Sequence, residues 1–249
     1  MDNTLSLWDI DGNLVNVYKF HTPAYQLGIR EVFGVEVSFP EIETHYGKPA
    51  REVVSAPLRK KGISDNTIEN GVGRVLSIYS SQLEKMTSSL MPNEATLPGV
   101  LPLLHQFRKM GIPMGIVTGN IKIAGEAILK GTNLYGLFDS RISSYGDNAT
   151  ERYQIVSNSI ESAKKFNLIK NNAKVYVFGD TPSDVEAAKK NNCKSIAVVK
   201  NSNNKDSSPG GENYLIRKTA LIESKPDFLF DDYTDTFEIL RLIGLKNNT

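Results

Sequence analysis

The sequence predicts a doubly wound α/β protein: a parallel sheet flanked by helices, with a smaller α-helical domain inserted near its start. Two observations carry the sheet. Short apolar runs alternate with longer helical patterns over most of the chain. Most of those runs are continuously hydrophobic rather than alternating, as strands covered on both faces are. The third observation is a block of about 80 residues, 16–95, with no convincing strand, too long for a structureless loop in a compact domain.

The elements follow in order. Residues 5–10 form the first strand. The block after it reads as helices over about 20–33, 49–61 and 65–89, with turn signals at Gly34, Gly47-Lys48-Pro49 and Gly62. Residues 92–99, with two prolines, read as the return linker. A helix over 99–110 leads to the second strand, 113–118. Strands at 141–144, 174–178, 194–199 and 227–230 come next, with helices over 121–131, 151–166, 182–191 and 234–243. The polar stretch 201–224 reads as a mobile surface loop in its first half, with a short helix over 212–222. The expected boundaries are 1–15 and 96–249 for the sheet domain and 16–95 for the helical one.

Composition removes several classes of function. The 29 Lys and Arg nearly balance 28 Asp and Glu, which leaves no basic surface suited to nucleic acid or to an anionic membrane. No apolar run approaches the roughly 20 residues of a membrane span. The first residues lack the basic and apolar pattern of a signal peptide. The single cysteine, Cys193, forbids an internal disulfide and fits a reducing compartment. A soluble, cytoplasmic protein is expected. The sequence carries no signal for its oligomeric state.

Three segments carry chemistry. In Trp8-Asp9-Ile10-Asp11-Gly12-Asn13 an apolar strand ends in two aspartates, at the carboxyl edge where open α/β sheets bind ligands. Carboxylates crowded there repel unless a cation neutralises them, and a hard divalent ion such as magnesium suits oxygen ligands and phosphate alike. Taken alone, the motif also occurs as a solvated turn. The second segment, Phe178-Gly179-Asp180-Thr181-Pro182-Ser183-Asp184, again ends a strand in acid and begins a helix. Asp184 there also suits the positive end of the helix dipole. The third, Val117-Thr118-Gly119-Asn120, offers a hydroxyl, a glycine that lets backbone approach, and N–H groups at a helix start. Thr118 or Asn120 is equally suited to capping that helix.

In this order on successive strand ends, Asp-x-Asp-Gly, Thr-Gly-Asn and Gly-Asp-x-x-x-Asp resemble the haloacid dehalogenase-like superfamily, and its phosphoglycolate-phosphatase-like members in particular. The resemblance spans nearly the whole chain. It implies a Rossmann-like core with a helical cap inserted after the first strand, acting as a magnesium-dependent phosphatase on a small phosphorylated metabolite. Asp9 is then the nucleophile that becomes an aspartyl-phosphate. Asp11 protonates the leaving oxygen and later deprotonates water. The metal is held by Asp9, the Asp11 carbonyl and Asp180, with Asp184 nearby. Thr118 and the Gly119 N–H hold phosphoryl oxygens, beside Asn120. Asp11 also argues for phosphoryl chemistry, since haloacid dehalogenases lack the second aspartate.

The chain departs from the pattern twice. Where the family usually places a lysine beside the phosphate, this sequence has none, and Arg152 takes the role through its guanidinium fork. Asn13 stands in place of threonine, with similar local hydrogen bonding. In the cap, Tyr46-Gly47-Lys48-Pro49 resembles a substrate-specificity loop, so Lys48 is a candidate for substrate binding as well as an ordinary surface lysine. His21, His45 and His105 read as packing or surface residues, and Trp8 and Cys193 as core. Competing readings are a phosphosugar mutase similar to β-phosphoglucomutase, a phosphonatase with Lys48 as its Schiff-base lysine, and a phospho-ligand-binding protein without turnover.

Overall fold

The structure, a computed structural model, describes residues 3–88, 95–199 and 214–245. Every residue of the first strand, β1 (Thr4–Trp8), is buried. Its side chains part to the two faces of the sheet, Leu5 and Leu7 into one apolar cluster and Trp8 into the other. The remaining strands are β2 (Met114–Ile116), β3 (Lys174–Gly179), β4 (Lys194–Val198) and β5 (Phe228–Phe230). All pair in parallel in the order β2-β1-β3-β4-β5. Val175 and Val177 share the side of Leu5 and Leu7, while Tyr176 and Phe178 share that of Trp8. Trp8 stacks on Phe178 with ring centroids 3.7 Å apart, and Phe107 meets both rings edge-on.

The described residues include ten α-helices. Four follow β1 within the insert: α1 (Tyr18–Phe33), α2 (Phe39–Glu43), α3 (Ala50–Lys60) and α4 (Asp65–Thr87). Then come α5 (Val100–Lys109), α6 (Lys122–Gly131), α7 (Arg152–Lys165), α8 (Pro182–Lys190), α9 (Tyr214–Ser224) and α10 (Thr236–Leu242). No described helix is long and apolar enough to cross a membrane. The chain enters and leaves the four-helix insert side by side. Val15 bridges Thr96 in antiparallel fashion, Asn16 N–H donates to the Ala95 carbonyl at 2.8 Å, and Leu97 N–H donates to the Leu14 carbonyl at 2.9 Å.

Register aligns the strand ends. Trp8 lies between Ile116 and Phe178, so the segments after β1, β2 and β3 emerge together at one edge. The chain runs from β1 outward to β2 and then crosses back to β3, and the crevice between β1 and β3 is the switch point of such a sheet.

The structure differs from the sequence expectation in two elements. Residues 141–144 form no strand; only Ser144 bridges Val117. Asp139 accepts from the Arg141 N–H at 2.9 Å, and the Ser143 hydroxyl donates to the Asp139 carbonyl, which curls this segment into a turn before it can extend. The short helix α2 has too few residues to show a period. Its one sequence signal is Ser38-x-x-Glu41, a capping box realised by Glu41 accepting from the Ser38 N–H and hydroxyl. Part of the expected linker, 92–94, and the expected mobile loop from 201 onward, up to 213, lie outside the described residues.

Candidate active site

Asp9 follows the last residue of β1, and its backbone N–H donates to the Phe178 carbonyl at 2.9 Å, so it leaves the sheet in register. One turn later Gly12 has φ +74, and a Cβ there would lie 2.0 Å from Asp180 Oδ2. Only glycine lets the β1 turn close this tightly on the β3 end. Asn13 fixes the turn by donating from Nδ2 to the Asp9 carbonyl at 2.9 Å.

Asp180 follows β3, and Thr181 with Asp184 forms the capping box of α8. Asp9, Asp180 and Asp184, all buried, each place a carboxylate oxygen within 4.8 Å of the others. Arg152, at the start of α7, reaches into this group. Its Nη2 lies 2.7 Å from Asp9 Oδ1, 2.6 Å from Asp184 Oδ1 and 3.1 Å from the Val117 carbonyl. One guanidinium therefore ties the ends of β1, β2 and α8 together. Burial pushes the Asp9 carboxyl up to about 8 against the pull of Arg152. Burial likewise lifts Asp180 to about 6, although Arg217 opposes it.

Asp11 is turned the other way. Its Oδ1 meets His21 Nε2 at 2.9 Å, and its Oδ2 accepts from Asn120 Nδ2 at 2.5 Å. Asn120 Oδ1 accepts from the Tyr79 hydroxyl at 2.8 Å, and that oxygen lies 2.7 Å from His21 Nδ1. Tyr79 has one hydrogen, directed at Asn120, so His21 Nδ1 is the donor toward Tyr79. His21 Nε2 thus faces Asp11 Oδ1 directly. The Asp11 carbonyl, not its carboxylate, faces the β3 side, 3.1 Å from the Tyr18 hydroxyl oxygen.

Thr118 and Asn120 do not cap α6, which begins at Lys122 with Ile121 as its N-cap. Thr118, Gly119 and Asn120 instead line a cavity of about 50 Å³ together with Asp9, Asp11 and Arg152. At Gly119 a Cβ would come 2.4 Å from the Lys48 carbonyl, and the Gly119 carbonyl accepts from the Ala50 N–H at 2.8 Å. The insert thus rests directly on this glycine. From the insert, Tyr18, His21, Tyr25, Tyr46, Gly47 and Lys48 complete the lining.

All nine residues singled out from the sequence lie at this strand edge: Asp9, Asp11, Lys48, Thr118, Gly119, Asn120, Arg152, Asp180 and Asp184. Sequence reasoning treated His21 as a packing histidine and gave no part to Tyr18, Tyr79 or Arg217. Nothing local marks them, because each meets its partner from a distant segment. His45 is half-buried and outside the cavity lining, and His105 is solvent-exposed on α5.

A divalent cation can be tested against these donors. The three clustered side chains are all carboxylates, the ligand type hard cations take. Asp180 Oδ1 is buried without a hydrogen-bond partner among the described residues, an oxygen that calls for a positive partner. The residues fit magnesium.

Comparison with known proteins agrees with this arrangement. The pattern of the family described as haloacid dehalogenase-like hydrolase matches residues 6–198. Over 190 residues, 75% of this chain and 81% of the relative, the chain is 24% identical to validoxylamine A 7'-phosphate phosphatase of Streptomyces hygroscopicus subsp. limoneus. It is also 24% identical over 243 residues to a Clostridium perfringens protein named as a candidate pyrophosphatase, PpaX, covering 97% of this chain and 98% of that one. Among solved structures, β-phosphoglucomutase from Clostridium difficile superposes with a TM-score of 0.70 at 17% identity, over 97% of this chain and 96% of that one.

Proposed function

This chain belongs to the haloacid dehalogenase-like hydrolases and is a phosphatase of that family, and we propose that it hydrolyses a small phosphorylated metabolite through an aspartyl-phosphate at Asp9, with magnesium as cofactor. The observation that carries this reading is the convergence of Asp9, Asp180 and Asp184, from two separate segments, beside Arg152 and within reach of the Thr118 cavity. In the proposed division of labour, residues 1–15 and 96–249 form the catalytic core and 16–95 the cap. The paired chains at Val15 and Thr96 support that boundary.

In the first step an Asp9 carboxylate oxygen attacks phosphorus while the bond from phosphorus to the leaving oxygen breaks. Asp11 gives its proton to that oxygen, with His21 Nε2 2.9 Å from its Oδ1 to orient the carboxyl. In the second step Asp11 takes a proton from water, which attacks phosphorus and frees Asp9. Thr118 Oγ1 and the Gly119 N–H would hold the phosphoryl oxygens, and Arg152 keeps Asp9 aligned. Asp9, Asp180, Asp184 and the Asp11 carbonyl would hold magnesium, which supplies positive charge against the crowded phosphoryl and carboxylate oxygens. Lys48 would meet the substrate's far end. The cavity, about 50 Å³, is well below the roughly 300 Å³ at which ligand pockets usually begin, so the cap would shift to admit substrate. The lone thiol and balanced charge support a cytoplasmic setting and a small-molecule partner rather than nucleic acid or membrane.

The test is a phosphate-release screen across phosphorylated metabolites with magnesium and with EDTA. Free phosphate that appears only with magnesium supports the reading. A phosphorylated isomer without free phosphate would indicate a mutase, and binding without turnover would leave a phospho-ligand-binding protein.

A further inference from the structure

Asp180 has a cationic neighbour that the proposed chemistry does not call for. Arg217, on α9, places Nη2 2.6 Å from Asp180 Oδ2, with the Asp180 side chain fully buried at 0% exposure and that of Arg217 at 28%. The Tyr18 hydroxyl donates to the same oxygen at 2.9 Å, and the guanidinium lies 5.5 Å from the Tyr18 ring centre. Arg217 is therefore packed as well as paired. It comes from the stretch between β4 and β5 and reaches the site from its rim. The other Asp180 oxygen, Oδ1, has no hydrogen-bond partner among the described residues.

We propose that Arg217 is a positioning residue that sets how tightly the site holds its divalent cation, by drawing on the charge of Asp180 through its Oδ2. The inference rests on reading Asp9, Asp180 and Asp184 as cation ligands. A carboxylate buried alone is costly, and Arg217 pairs with Asp180 and holds it oriented before a cation arrives. Once it arrives, two positive groups share one carboxylate and repel through a poorly screened medium. A guanidinium stays charged throughout the accessible pH range, so the opposition is permanent. The site is preformed at the expense of affinity.

The measurement is magnesium binding to the whole protein without substrate, by isothermal titration calorimetry, with thermal unfolding in EDTA and in magnesium as a second readout. Arg217→Gln and Arg217→Met should each tighten the magnesium Kd about tenfold or more. They should also lower Tm in EDTA and enlarge the rise in Tm that magnesium produces. Arg217→Lys, which keeps the charge, should stay within about twofold of the wild type. If the wild type binds magnesium and the uncharged variants bind it equally or more weakly, this inference fails while the ligand reading stands. If neither wild type nor variants bind magnesium, both fail.

Discussion

Asn13 shows how much one buried amide controls here. Fully buried, it donates to the Asp9 carbonyl at 2.9 Å and accepts from the Tyr233 hydroxyl at 2.5 Å, linking the catalytic turn to the segment after β5. Asn13→Ala removes both bonds and leaves a buried phenol without its acceptor. The expected loss is about 1–3 kcal/mol in urea unfolding, with turnover reduced as the Asp9 turn loosens. The local half of this role was legible, since asparagine is suited to bond nearby backbone. Tyr233 was not, because it lies 220 residues away. The same contrast separates the acidic residues from their keepers. Asp9, Asp11 and Asp180 announce themselves just past the ends of apolar strands, and Asp184 by its spacing four residues after Asp180. His21, Tyr79 and Arg217 become meaningful only when α1, α4 and α9 close over those ends.

At the scale of elements, the parallel strands were legible because burial on both faces makes them continuously apolar. The segment 141–144 imitates this with Ile142, yet the Asp139 turn decides its path. Side-chain bonding to local backbone overrode a weak strand signal. The β4–β5 edge depends on a polar clamp of its own. Asp227 accepts from the Ser195 N–H and hydroxyl, each at 2.9 Å, and from Lys194 Nζ at 2.7 Å. Burial works to raise its pKa, but these donors outweigh it and hold the carboxyl below the usual range. A carboxyl with a lowered folded pKa contributes stability that is present above its unfolded value, about 4, and disappears as pH falls through the folded value. Unfolding measured across that acid window should show Asp227→Asn less stable than wild type at neutral pH, with the gap narrowing below pH about 4. A constant gap would remove Asp227 as the source.

For the whole molecule, the four-helix insert is joined to the sheet through the paired chains at Val15 and Thr96 and rests on the strand edge at Gly119. On the proposed reading, an insert tethered this way would close the site as a unit. Hydrogen exchange in magnesium with orthovanadate, compared with magnesium alone, should slow at residues 44–50 and along α1, and change little in β1 and β3. Equal protection everywhere would argue for tightening without cap closure. The presence of an insert was readable from 80 strandless residues; its seating was not, because Lys48 and Gly119 meet through backbone. On the proposed reading, the whole arrangement serves covalent capture of phosphate at one carboxylate. The most direct check is to quench the enzyme in acid during turnover of a substrate found in the screen and map the phosphoryl group by mass spectrometry. The account predicts a phosphorylated peptide at Asp9 in the wild type, none in Asp9→Asn, and a fall in turnover of about a thousandfold or more in that variant. Phosphate release by a folded Asp9→Asn protein at a rate near wild type would contradict it.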